Sequence, residues 1–308
     1  MPERILIVHK GALGDFLHIW PSLFALSQCW SKASLAWAGR REYSHWVEPL
    51  GIRRAAPAEL QAAEALYSAE GWPEGLKQSL VIWFGLQQPP TSKAFNRLWF
   101  LPGLVPECWD PPREVYAAAL AAKGCHPAKD WPTAWRQLFP APRRPRNRPA
   151  DVLVAPGAGH PAKCWPLDRY ESLAGRLASK GARIRFLLGP AEQERELEVK
   201  NFERILPGTL EELHRALQHS DLVIGNDSGP LHLAGLSGVP CLALFGPTAP
   251  RQWGPFGARI LSIDLACAPC SRLGRIDCPD PQCLTGLDIH RVAAAAEEML
   301  EALGPAGA

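Results

Sequence analysis

Three short stretches of the sequence place glycines beside charged or hydroxyl side chains directly after an apolar run, as phosphate-binding loops of α/β proteins do. They are residues 9–15, 156–166 and 225–232. Glycines let a ligand approach the backbone, and the amides that begin a following helix favour an anion. Each stretch is a candidate site for a phosphorylated ligand, and the first also carries a carboxylate that can take a proton.

The first stretch has the sequence HKGALGD and ends on Asp15. An acid at a helix N-terminus is either a cap, which contributes about 0.5–2 kcal/mol, or a catalytic group, and the spacing alone favours the cap. Gly11 and Gly14 are three positions apart and no third glycine follows. A dinucleotide-binding fingerprint is therefore the weakest interpretation of this loop.

The second stretch carries Gly157, Gly159 and Lys163 between an apolar run and a helical pattern. Its backbone amides can cradle phosphate oxygens, and the lysine ammonium adds positive charge. It lacks the Walker spacing and the Ser or Thr that follows the Walker lysine, which argues against NTP hydrolysis of that kind. An ordinary surface loop explains the spacing equally well.

The third stretch has the sequence GNDSGPLH, in which Asp227 or Ser228 can cap the helix that follows. A proline two residues later suits the first helical turn, where no amide donor is needed. The amides of Ser228 and Gly229 then point at any bound phosphate. His232 either donates to that phosphate or is a hydrogen-bonded core histidine, and the second use is commoner.

Apolar periodicity places these stretches between strands and helices. Runs typical of buried parallel strands occupy residues 5–8, 35–38, 80–84, 152–154, 184–188, 222–224 and 241–245. Helical patterns occupy residues 16–26, 168–180 and 230–237, and Gly181 and Gly238 stand where helix C-cap glycines belong. Strands that alternate with single helices predict α/β domains with doubly wound parallel sheets, which bind ligands at the carboxyl ends of the strands.

A stretch with four prolines and four arginines, residues 140–149, separates the two α/β segments. Proline fixes backbone angles and removes ladder donors, so this stretch predicts an extended linker. The predicted organisation is a first domain over 1–140, a linker over 141–150, a second domain over 151–287 and a C-terminal helix over 288–308.

Composition excludes several classes of protein. The 308 residues are 47% hydrophobic, which is enough for two packed cores, and the 26 glycines and 31 prolines follow no collagen period. The net charge is +2, and the excess positive charge lies mainly in the proline–arginine stretch, which indicates a solvated linker rather than a nucleic-acid site. No apolar run approaches the ~18–20 residues that span a bilayer.

The nine cysteines are an odd number, and the N-terminal residues lack the pattern of a signal peptide. This combination predicts a cytosolic protein with free or metal-bound thiols. Four of the cysteines cluster as Cys267, Cys270, Cys278 and Cys283. Four cysteines so close together in sequence could bind a structural zinc. Their central gap of seven residues, however, is shorter than the gap of ~12–20 residues in usual zinc modules. No catalytic metal site is predicted.

In order along the chain, these motifs resemble those of glycosyltransferase family 9, the bacterial lipopolysaccharide heptosyltransferases. The resemblance spans about residues 5–284 and rests on Leu13–His18, Pro156–Gly159, Lys163–Pro166, Gly189–Glu192, Gly225–Ala234, Phe245–Thr248 and the cysteine-rich stretch that ends at Cys283.

The resemblance implies a GT-B fold, in which two Rossmann-like domains face a cleft, the first binding the acceptor and the second the nucleotide-sugar. It implies an inverting, metal-independent transfer of heptose from ADP-heptose to the lipid-anchored inner core, with no cofactor required. Asp15 would be the general base. Lys163, the amides of Ser228 and Gly229, and His232 would stabilise the departing diphosphate.

Further roles follow from the same resemblance. Glu192 would bind the ribose hydroxyls, Asp227 would contact the sugar or order its loop, and Leu206 would lie in an adenine-binding segment. The rest of the implied donor-binding set is Gly14, Gly157, Gly159 and Thr248. The C-terminal helix would pack back on the first domain.

The sequence also departs from the family pattern. The position six before Asp15 is usually basic in the heptosyltransferases and is His9 here, and residues 40–150 match the family poorly. The alternatives are a family member with another donor or acceptor, and a non-catalytic nucleotide-binding module with a zinc cluster. The implied location is the cytoplasm, with peripheral contact at the inner membrane as an open question. Trp99–Leu101 is either a surface patch for that contact or, more simply, part of a core.

Overall fold

The computed structural model describes residues 2–67, 71–86, 95–142, 148–271 and 276–303. The chain divides into two compact units, Met1–Ala134 and Trp135–Ala308. This division falls six residues before the predicted end of the first domain. Half of the predicted linker, residues 143–147, lies outside the described residues.

The described part of the first unit contains a parallel sheet with the strand order β3-β2-β1-β4-β5. Its strands are β1 (Arg4–His9), β2 (Ser34–Gly39), β3 (Arg53–Arg54), β4 (Ser79–Gly85) and β5 (Leu98–Pro102). Its helices are α1 (Leu13–Cys29), α2 (Ser44–Val47), α3 (Pro57–Ala65), α4 (Pro112–Ala121) and α5 (Trp131–Leu138), the last of which spans the division.

The central strand of this sheet is β1, whose residues Ile5–Val8 are all buried. Parallel strands that are covered on both faces are apolar at successive positions, and the run ILIV has that character. The chain leaves the carboxyl end of β1 and enters α1 after three residues. The short connection holds Gly11 and Asp15 at the sheet edge where ligands of α/β folds bind.

The second unit contains, within residues 148–271, a parallel sheet with the strand order β11-β10-β9-β6-β7-β8. Its strands are β6 (Asp151–Ala155), β7 (Arg183–Leu187), β8 (Glu203–Ile205), β9 (Leu222–Asn226), β10 (Cys241–Leu244) and β11 (Arg259–Leu261). Its helices are α6 (Leu167–Ser179), α7 (Pro190–Glu194), α8 (Leu210–Gln218), α9 (Gly229–Leu236), α10 (Pro250–Trp253), α11 (Gln282–Thr285) and α12 (Ile289–Ala302).

Helices α6 and α12 share a core with this sheet. Leu173 and Leu177 of α6 and Val292 and Ala296 of α12 are buried together with the apolar residues of β6 and β9. Outside the core, Glu297 of α12 forms ion pairs with Arg176 of α6 and with Lys180, the residue after that helix. The predicted packing of this C-terminal helix on the first domain stays a prediction.

The predicted class, α/β with doubly wound parallel sheets, is confirmed. Every strand pairing in the described part of the two sheets is parallel. In each sheet, the strand order reverses at the first strand of the unit, which is β1 in one sheet and β6 in the other. Gly181 and Gly238 adopt φ values of +92° and +79°, the left-handed conformation that a helix C-cap glycine supplies. None of the described helices has the length and apolar character that a membrane-spanning helix requires.

Candidate functional site

In the first unit, Asp15 occupies the third position of α1 and is half-buried. Its Oδ2 accepts a hydrogen bond from the amide of Ala12 at 3.1 Å, so the carboxylate caps its own helix. The capping function expected from the spacing is therefore confirmed. It leaves a carboxylate fixed at the N-terminus of a helix.

The loop before Asp15 is fixed by two buried side chains. Tyr43 donates its hydroxyl to the carbonyl of Gly11 at 3.3 Å, and the His9 ring lies against the Gly11 backbone, so that a Cβ at position 11 would meet Nε2. His9 Nδ1 lies 3.3 Å from the carbonyl of Phe84. Burial is the main cause that lowers the pKa of His9 to about 4, so this residue is a neutral imidazole at pH 7.

In the second unit, the loop after β6 turns through a short 3-10 helix, Pro161–Lys163. Glu192 of α7 lies over this loop: its Oε2 accepts from the amide of Gly189 at 2.8 Å, and its Oε1 faces Gly157 so closely that a Cβ there would overlap it. A Cβ at Gly159 would meet open space. The two glycines of the loop therefore do different things, since only Gly157 makes room for a carboxylate.

Asp227, directly after β9, is the centre of a buried polar cluster. Its Oδ2 accepts from Lys163 Nζ at 2.6 Å and from the Thr248 hydroxyl at 2.7 Å, while Oδ1 lies 3.7 Å from His232 Nε2. Burial raises the pKa of Asp227, but the His232 hydrogen bond and the charge of Lys163 outweigh it and hold the pKa well below its usual range. The carboxylate is therefore ionised at neutral pH.

Helix α9 begins beside this cluster, with Ser228 at its N-cap position. The Ser228 hydroxyl is buried and has no hydrogen-bond partner among the described residues. The first amides of a helix also lack intrahelical partners. A buried hydroxyl and free amides next to the Lys163 ammonium are suited to an anion such as a phosphate.

Asn226, the last residue of β9, connects the two loops of this site, and no role was predicted for it. The side chain is fully buried, and Oδ1 accepts from the Trp165 amide at 2.9 Å and from the Tyr170 hydroxyl at 3.0 Å. Nδ2 donates to the carbonyl of Pro156 at 2.6 Å. The loop that carries Lys163 is thereby fixed to the strand end that carries Asp227.

Comparison with known proteins agrees with this geometry. The sequence profile of glycosyltransferase family 9 (heptosyltransferase) matches residues 141–277. This range contains every residue of the buried polar cluster around Asp227. Lipooligosaccharide heptosyltransferase 2 of Campylobacter jejuni is 30% identical over 190 residues, which cover 56% of this chain and 58% of that protein. Lipopolysaccharide heptosyltransferase 1 of Escherichia coli K12 is 26% identical over 298 residues, which cover 82% and 91% of the two chains. Over its second unit, the chain is similar to glycosyltransferase family 9.

A solved structure supports the fold. The E. coli heptosyltransferase WaaC with ADP superposes with a TM-score of 0.66 at 20% identity and covers 96% of this chain and 99% of that one. The expected GT-B fold, two Rossmann-like domains with parallel sheets, is confirmed.

The predicted residues of the second unit fall into two groups. Lys163, Asp227, His232 and Thr248 form the polar cluster, with Ser228 and Gly229 at the helix beside it. Glu192 and Gly157 form a second contact on the loop after β6, and Leu206 follows β8 with 54% of its surface exposed. Gly14 lies in the first turn of α1 with Asp15.

The prediction of free or metal-bound thiols is wrong for two cysteines. Cys29 at the end of α1 and Cys125 after α4 form a disulfide, with 5.9 Å between their Cα atoms. The partners are 96 residues apart in sequence, and the packing of α1 on α4 brings them together.

The zinc interpretation of the four clustered cysteines stays a prediction. The four clustered cysteines are all described, but among the described residues no group of three or more His, Cys, Asp or Glu side chains is arranged to hold a metal ion. Cys267 and Cys270 are exposed and Cys283 is buried; burial, and then the charges of the nearby Cys270, Cys278 and Cys267 thiols, raise the pKa of Cys283.

Proposed function

We propose that this protein transfers heptose from ADP-heptose to the inner core of lipopolysaccharide with inversion at the anomeric carbon. One observation carries the proposal: the Lys163–Asp227 ion pair lies beside the N-terminus of α9, where the buried Ser228 hydroxyl and the first helix amides can donate to an anion. A departing nucleoside diphosphate is such an anion, and donors aimed at its developing charge lower the barrier.

In this proposal, Asp15 takes the proton of an acceptor hydroxyl while that oxygen attacks the anomeric carbon from the face opposite ADP. The bond between that carbon and the diphosphate oxygen breaks, and ADP leaves with its electron pair. Lys163, the amides of Ser228 and Gly229, and His232 stabilise the charge that ADP gains. The step as written uses these protein groups and involves no metal ion.

The remaining residues position the donor. Glu192, already turned toward Gly157, accepts hydrogen bonds from the ribose hydroxyls, and exposed Leu206 lies against adenine. Asp227 keeps the Lys163 ammonium in place through their ion pair and is itself fixed by Thr248. Gly14 and Gly159 leave room for backbone approach. The enzyme works in the cytoplasm, and its lipid-anchored acceptor requires it to approach the inner membrane.

The donor is tested by transfer assays with ADP-heptose and with UDP- and GDP-sugars on a lipid-anchored inner-core acceptor, together with calorimetric titration of ADP, UDP and GDP. We expect turnover and nucleotide binding only in the ADP series, and an ADP affinity at least tenfold weaker in Lys163→Ala, because a charged hydrogen-bond donor is lost. Preference for UDP or GDP would assign another donor. ADP binding without transfer to any acceptor would refute catalysis and leave a nucleotide-binding module.

A further inference from the structure

A groove of about 590 Å³ lies in the second unit, between α8 and strands β6–β8. It is lined by Arg148, Arg183, Arg185 and Arg215 and by two carboxylates, Asp151 and Glu212. Asp151 and Arg183 are the first residues of β6 and β7. The donor loops, which carry Lys163 and Asp227, follow the opposite, carboxyl ends of β6 and β9, whereas the groove adjoins the predicted adenine-binding segment at Ile205, which directly precedes Leu206.

The carboxylates of the groove are already used. Both Nε and Nη2 of Arg185 donate to the same oxygen of Asp151, at 2.8 and 2.6 Å. The other Asp151 oxygen lies 3.9 Å from Arg183. Glu212 accepts from the amide of Gly208 at 2.7 Å through Oε2. Donors of the protein itself therefore already bind the carboxylates of Asp151 and Glu212.

Donors remain on the same surface. Arg185 is only 9% exposed, and its Nη1 has no partner in the part of the chain that the structure describes. The exposed guanidinium of Arg215 forms no hydrogen bond or ion pair with any described residue. Arg guanidinium groups match the geometry of phosphate oxygens, and a partly buried one binds them more strongly than a solvated one.

The groove is also prearranged. Arg148 binds both oxygens of Asp221, at 3.0 and 2.9 Å, and Asp221 in turn accepts from the amide of Asp151 at 2.7 Å. These bonds fix the first residue of β6, which holds Arg185. A site whose charged side chains are held before binding loses less conformational entropy when a ligand arrives.

We propose that this groove binds a phosphate monoester, with Arg185 and Arg215 as the phosphate ligands. Ile205 and Ala216 supply an apolar wall for the carbon skeleton, and the second oxygen of Glu212 can accept from a ligand hydroxyl. The ligand class is therefore a phosphorylated polyol, either as a free small molecule or as the headgroup of a lipid.

The first test is calorimetric titration of the full chain with glycerol 3-phosphate, using wild type, Arg215→Ala, Arg215→Glu and Lys163→Ala. The matched control is Arg291→Ala, which removes an exposed arginine from α12. We expect saturable binding to wild type, Arg291→Ala and Lys163→Ala, at least fivefold weaker binding to Arg215→Ala, and none to Arg215→Glu. The Arg215 side chain is exposed and the substitutions leave the backbone unchanged, so α8 should fold in each variant.

Two results would overturn the proposal: no saturable binding to wild type, or binding that is lost in Lys163→Ala but kept in both Arg215 variants, which would assign the phosphate to the donor loops. The outcome does not depend on the proposed transferase activity, since the groove variants leave the donor residues intact.

The source of the phosphate is distinguished by co-sedimentation with phosphatidylcholine vesicles, with and without phosphatidic acid. Sedimentation that requires phosphatidic acid and Arg215 assigns a lipid headgroup. Binding of glycerol 3-phosphate without such sedimentation assigns a free ligand.

Discussion

Replacement of Asn226 by alanine tests whether one buried amide holds together the loops that follow β6 and β9. The side chain makes three hydrogen bonds, to the Trp165 amide, the Tyr170 hydroxyl and the Pro156 carbonyl, and is fully buried. At about 1 kcal/mol net for each bond, Asn226→Ala should lower the free energy of unfolding by about 3 kcal/mol. Tyr170→Phe removes one of the three and should cost about 1 kcal/mol.

Urea denaturation followed by circular dichroism measures both effects, since a shift in midpoint at constant slope reports stability. The double variant provides the sharper comparison. Because Asn226→Ala has already removed the acceptor of the Tyr170 hydroxyl, Tyr170→Phe should cost much less in that background, with a coupling of about 1 kcal/mol. An Asn226→Ala cost below about 1 kcal/mol, or strictly additive effects, would refute the network as described.

Three further predictions concern the loops of the two units. Gly157→Ala should lower the melting temperature, because its Cβ would overlap the carboxylate of Glu192 in α7. Gly159→Ala should unfold at the wild-type temperature, because its Cβ would meet open space. Equal melting temperatures for the two variants would contradict this. Thr248→Val removes the hydroxyl that donates to Asp227 and should cost about 1–2 kcal/mol in urea denaturation, with no loss if that bond is absent. The pKa of His9 lies near 4 in the folded protein, below its ordinary 6.5, so the unfolded chain alone takes up this proton between those pH values. The free energy of unfolding should therefore fall by up to about 3 kcal/mol as the pH is lowered from 6.5 to 4, and His9→Gln should remove that slope; an unchanged slope would refute the assignment.

Much of the fold was predictable because the central strands carry an unbroken apolar signal. Residues 5–8 and 152–154 are fully buried in β1 and β6, and covered parallel strands are recognisable from such runs. All four edge strands, β3, β5, β8 and β11, were missed. Two of them, Arg53–Arg54 and Glu203–Ile205, are too short and too charged for periodicity to reveal. Pairing with a neighbouring strand, rather than their own composition, makes these segments strands.

The site was predicted as separate loops but not as a network. Gly157, Lys163 and Asp227 stood out because glycine and charge follow an apolar run. The ion pair of Lys163 with Asp227 depends on the pairing of β6 with β9, which sets Ala155 opposite Gly225 and which no local pattern encodes. The disulfide was missed for the same reason, since its partners come from helices far apart in sequence.

The most direct test of the proposed mechanism is the single-turnover rate of heptose transfer by Asp15→Asn, with donor and acceptor saturating. Glu59→Gln is the matched control, because Glu59 also caps the start of its helix, through the Ala56 amide at 2.7 Å, but has no assigned role. We predict that Asp15→Asn lowers the rate by about 10²–10⁴-fold with ADP affinity unchanged, and that Glu59→Gln transfers at the wild-type rate. A rate for folded Asp15→Asn within a few-fold of wild type would contradict the assignment of Asp15 as the base.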